Sequence, residues 1–157
     1  NGIPETWPYR DDLPEKLPIR VNTLWNTLII EGLLDAGFDQ EALKLFNNLM
    51  TAIIQGLKVY EGFYPYYDRD SGLPNGLRNA TAGLAPLQLF LKLTGIKIFS
   101  PWRVALLANN PFPGAVEIHW QGLAIRQTKD HTEVVFPDGT RYDHRSPEPV
   151  LLTAEKK

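Results

Sequence analysis

Two carboxylates and a block of aromatic side chains share one short stretch, with Glu61, Phe63, Tyr64, Tyr66, Tyr67 and Asp68 followed by Gly72 and Gly76. A carboxyl group set against an aromatic wall has its charged form disfavoured, so its pKa rises towards the range in which it exchanges protons near neutrality. Glu61, close to Phe63 and Tyr64, is placed for that chemistry or, as an ordinary loop glutamate, for solvent. Asp68 has two readings as well: a proton acceptor, or a staple that binds backbone N–H groups of the glycine-rich turn. Each tyrosine combines an apolar face with a hydroxyl, which suits the wall of a polar-ligand pocket, although alternate ones can equally be core. Upstream, Arg20, Asn22 and Asn26 fall where a helix begins, and Asn22 is also a suitable cap. His119, His131 and His144 have no partner at metal-ligand spacing, so no metal and no cofactor is expected.

These residues sit in a chain of 157 residues, 43% of them hydrophobic, which is enough for a packed core. A net charge of −2 supplies no basic field for nucleic acid, and no apolar run is long enough to cross a bilayer. Without cysteine there is no disulfide or thiolate chemistry, and the compartment stays open. Asn1 in place of Met, with no leader, suggests a processed or partial chain.

The elements that must position the candidates follow from periodicity. Residues 1–18 hold four prolines and read as an extended arm. Val21, Leu24, Trp25, Leu28, Ile29, Gly32, Leu33 and Ala36 mark one helix face, stopped by Gly37. Asp39 is placed to cap a second helix with a broad apolar face from Ala42 to Leu57. Val59 to Ala80 reads as a long ordered loop, and Asn79-Ala80-Thr81 as the cap of a third helix that ends at Gly95. Beyond it the period becomes two, as in Val116, Ile118 and Trp120, predicting a small antiparallel sheet. The helices carry more apolar surface than they can cover for one another, which calls for further helices or a partner chain.

Three ordered segments resemble glycoside hydrolase family 63 and its mannosylglycerate-hydrolase-like relatives. Lys16 to Trp25 is similar to an Arg-Gly-Pro-x-Trp-x-Asn-x-x-Trp segment, matching at Pro18, Asn22 and Trp25. Glu61 to Gly72 resembles a Phe-x-Glu-Tyr-Tyr-Asp-Pro-x-Thr-Gly loop at Tyr66, Tyr67, Asp68 and Gly72. Asn79 to Leu84 is similar to Ser-Trp-Thr-Ala-Ala-Leu at Thr81, Ala82 and Leu84. The departures are Lys16 and Leu17 for Arg-Gly, Arg20 and Ala80 for tryptophans, and Pro65 where the family's base stands.

The resemblance implies a mainly α fold, the last helices of an (α/α)6 barrel of the six-hairpin glycosidase type over residues 1–96, followed by a small antiparallel β appendage over residues 97–157. It implies an inverting hydrolase of α-linked gluco- or manno-type sugars whose acid comes from a missing N-terminal barrel portion. Glu61 or Asp68 would be its base, and Arg20, Asn22, Trp25, Tyr64, Tyr66 and Tyr67 its sugar contacts. One alternative is a non-catalytic protein of the same ancestry that binds carbohydrate or assembles with another subunit; another is an α+β interaction module whose likeness is accidental and whose exposed helix faces pair in an oligomer.

Overall fold

The computed structural model describes residues 2–5, 19–146 and 148–155, in two compact units that divide between Leu89 and Phe90. Most of the expected N-terminal arm, with Lys16, Leu17 and Pro18 of the first matched segment, lies outside the described residues.

In unit 1 a short strand, β1 (Arg20–Asn22), runs directly into helix α1 (Thr23–Asp35). Asn22 makes the junction by accepting a hydrogen bond from the Trp25 N–H, satisfying one of the amides that a helix start leaves open. Gly37, at a left-handed φ of 81°, closes α1: the Phe38 N–H donates to the Leu33 carbonyl and the Gly37 N–H to the Leu34 carbonyl. Helix α2 (Asp39–Tyr60) follows at once, with Asp39 inside its first turn instead of capping it, and packs back on α1.

The face of α1 is the reverse of the one periodicity predicts. Thr23, Asn26, Thr27 and Ile30 are buried, whereas Leu24, Trp25 and Leu28 are about half exposed, at 51%, 58% and 49%. Each buried polar group is satisfied, as burial requires. Thr23 donates to the Tyr64 carbonyl, Thr27 to the Thr23 carbonyl, and the Asn26 amide bonds both main-chain groups of Ile3. The arm residues Gly2–Glu5 are thereby laid along β1, where Pro4 bridges to Val21.

The stretch expected as a long loop is partly helix and partly sheet. After α2 come β2 (Tyr66–Asp68) and β3 (Pro74–Asn75), giving an antiparallel sheet in the order β1-β2-β3. A 3-10 turn at Thr81–Gly83 precedes α3 (Leu87–Thr94), which spans the division between the units. Asn79 does not cap that turn; its side-chain oxygen accepts the Phe63 N–H instead.

Unit 2 pairs two antiparallel sheets. One runs in the order β10-β5-β4, from β4 (Ile96–Ser100), β5 (Arg103–Leu106) and β10 (Val150–Thr153). The other runs β6-β7-β8-β9, from β6 (Val116–Trp120), β7 (Leu123–Gln127), β8 (Thr132–Val135) and β9 (Arg141–His144). Ile96, Val104, Leu106 and Leu152 from the first sheet share one core with Leu123, Ile125, Val134 and Phe136 from the second strand set and its turn.

The expectation of a mainly α chain is therefore corrected: among the described residues three α-helices stand beside ten strands in three sheets, a mixed α and β protein. Helix-period patterning dominates the first half, but the short strands β1 to β3 are too brief for alternation to be read. The single sheet expected after Gly95 is two sheets with their own core.

Candidate functional site

The β1–β2–β3 sheet gathers five of the eight predicted site residues, Arg20, Asn22, Tyr66, Tyr67 and Asp68. Its register sets Arg20 opposite Asp68, Val21 opposite Tyr67 and Asn22 opposite Tyr66. Side chains alternate across a strand, so Val21 and Tyr67 share the inner face, both with no exposed surface, and Arg20, Asn22, Tyr66 and Asp68 share the outer one. Tyr67 lies against Gly56 of α2, where a Cβ would come within 3.1 Å of its hydroxyl. Burial pushes its phenol pKa up, and the Tyr64 backbone pulls the other way without completing a hydrogen bond.

On the outer face the Arg20 guanidinium sits 5.8 Å from the Tyr66 ring centre, in cation–π range. Its Nε is shielded from solvent and has no hydrogen-bond partner among the described residues. A cleft of about 350 Å³ opens here, lined by Arg20, Asp68, Ser71, Leu73, Pro74 and Asn75. The Asp68 Oδ1 accepts from the Asp70 N–H, the Ser71 N–H at 2.8 Å and the Ser71 hydroxyl at 2.7 Å. These bonds, the Ser71 N–H foremost, hold its carboxyl below the usual carboxylate range. As a proton acceptor at neutral pH it is accordingly weak; as the staple of the Asp68–Gly72 turn it is well placed.

The other candidates are elsewhere. Glu61 is exposed, in a left-handed conformation at the end of α2, and does not line the cleft. The Tyr64 hydroxyl donates to the Tyr60 carbonyl, and Gly83 packs so closely on the Tyr64 backbone that a Cβ would fall 2.4 Å from its carbonyl carbon. Trp25 projects from α1 into solvent. Asn22 is occupied twice, capping α1 and donating to the Glu5 carboxylate at 2.6 Å. Sequence reading missed Ser71, Leu73, Pro74 and Asn75, which enter the site through the turn and the β3 pairing. Among the described residues no cluster of His and acidic side chains suits a metal ion, and no helix is long and apolar enough to cross a membrane.

No family model matches the chain, and neither does any curated protein or solved structure. The likeness to glycoside hydrolase family 63 is not sustained. The matching residues have local duties that many folds share: Asn22 caps, Asp68 and Gly72 form a turn, Tyr66 and Tyr67 fill a strand, and Thr81 and Ala82 lie in a 3-10 turn instead of opening a barrel helix.

Proposed function

We propose that unit 1 binds carbohydrate, a sugar of gluco or manno type, on the outer face of β1–β2–β3. The observation that carries this reading is the Arg20 guanidinium, stacked on Tyr66 with a desolvated Nε that lacks an acceptor. An orphaned buried donor is costly, and a ligand oxygen would relieve it. Sugars offer many such oxygens along with apolar C–H faces, and the cleft answers with Asn75, Ser71 and Asp68 beside Leu73 and Pro74. The role is binding: Asp68 is the one carboxyl among the lining residues and is committed to its turn. Hydrolysis would require a carboxylic acid brought by further protein.

Assembly with such further protein has its own support in the outward apolar stripe of Leu24, Trp25 and Leu28, on a helix whose polar stripe is the buried one. Unit 1 is then a sugar-binding element that works beside additional helical protein, of the same polypeptide or of a second chain. Calorimetric titration with methyl α-glucopyranoside, methyl α-mannopyranoside and their α-linked disaccharides tests the binding role. Saturable heat that disappears in Arg20→Ala and Tyr66→Ala supports it; equal heat in both variants contradicts it.

A further inference from the structure

The edge of β4 offers a second surface, wholly within unit 2. In the order β10-β5-β4 this strand pairs on one side only among the described residues. The Leu107 N–H donates to the Gly95 carbonyl at 2.8 Å, and the register continues through Lys97 with Ala105. Bonded and non-bonded pairs alternate in an antiparallel ladder, so Gly95 and Lys97 turn their main-chain groups to β5. Ile96 and Ile98 turn theirs the other way, where Ile98 is partly exposed and Ile96, at 3% exposure, is already covered. A groove of about 450 Å³ runs there between α3 and β4, with Leu91, Lys92, Lys97, Ile98 and Leu107 in its walls. It draws on residues from both faces of β4, which places it along the strand's edge.

The charge beside this edge is of one sign. Lys97 and Arg103 flank the half-exposed Phe99 ring, at 5.1 and 5.2 Å from its centre, and neither forms an ion pair with a described residue. No acidic side chain lines the groove. We propose that the β4 edge takes up an extended peptide as an added strand, one that alternates acidic residues, set against Lys97 and Arg103, with apolar residues, set against Leu91 and Ile98. Main-chain hydrogen bonds supply the docking, and the alternation supplies the choice of peptide. A second copy fits this edge poorly, because it would bring two lysine-bearing basic faces together.

The test uses the full chain and three fluorescein-labelled octapeptides that alternate valine with glutamate, glutamine or lysine. The glutamate peptide is expected to bind about tenfold more tightly than the glutamine one, and the lysine peptide to be the weakest. Lys97→Glu combined with Arg103→Glu, both on exposed positions, is expected to reverse that order. Peptide binding should also slow amide exchange at Ile98. The proposal is overturned if no peptide binds, if the lysine peptide binds as well as the glutamate one, if the double variant leaves the order unchanged, or if the peptide-free chain dimerises through β4.

Discussion

Arg20 and Asp68 stand opposite one another across the β1–β2 ladder, and their polar atoms are used in opposite ways. The Asp68 Oδ1 accepts three hydrogen bonds from its own turn, whereas the Arg20 Nε–H is desolvated and donates to no acceptor among the described residues. One member of the pair builds the cleft, and the other is left to bind.

The stapled turn makes stability depend on acid. Because the folded pKa of Asp68 is lowered, its contribution is complete above the unfolded value of about 3.9 and is lost as pH falls through the folded one. Asp68→Asn keeps an acceptor oxygen and should flatten this part of the acid unfolding profile. Asp68→Ala should cost roughly 0.5–1 kcal/mol near neutrality, a modest sum for a solvent-screened site. Urea unfolding between pH 2 and 7 measures both.

Tyr67 contributes in the alkaline range. Its folded pKa is raised by burial, so its stabilisation is full below the unfolded value of about 10 and declines as pH rises through the folded one. Its hydroxyl has no partner among the described residues, so Tyr67→Phe should raise stability by about 1 kcal/mol and remove that decline. Thermal melts at pH 7 and pH 10.5 give the comparison.

Gly83 is required by proximity. A Cβ there would stand 2.4 Å from the Tyr64 carbonyl carbon and 2.8 Å from the Pro65 nitrogen, both backbone atoms that cannot swing aside. Gly83→Ala should cost about 3 kcal/mol, the upper part of the overpacking range, and displace the stretch leading into β2. Chemical denaturation together with amide shifts of Tyr66 and Tyr67 would show it.

Asn26 holds the arm. Its amide accepts the Ile3 N–H and donates to the Ile3 carbonyl, both at 2.8 Å, within a fully buried residue. Asn26→Ala leaves two main-chain groups without those partners and should cost about 2–3 kcal/mol. It should also speed proteolytic cleavage before Arg20, followed by mass spectrometry against the unaltered chain.

Much of the helical half was legible in the sequence. The C-terminal end of α1 is marked by Gly37, and α2 by its broad apolar face. What periodicity could not supply was direction: Leu24, Trp25 and Leu28 have the spacing of a buried face, but hydrogen bonds to Ile3, Tyr64 and Thr23 turn the polar stripe inward. Strands of two or three residues have too few positions to alternate, so β1 to β3 were hidden. Hence the sequence marks Arg20, Asn22, Tyr66 and Asp68 as candidates but carries no sign that one register puts them on one face. Ser71 and Asn75 carry no signal of their own and become site residues through that pairing.

The most direct measurement is the Arg20 Nε–H resonance, followed by 15N NMR while an α-glucoside or α-mannoside is added. A ligand oxygen on Nε should shift that signal downfield and slow its exchange with water, in step with shifts at Tyr66 and Asn75, and Tyr66→Ala should weaken the effect. An Arg20 Nε–H unmoved by every sugar, or sugar-induced shifts confined to residues outside β1–β2–β3, would contradict carbohydrate binding at this face.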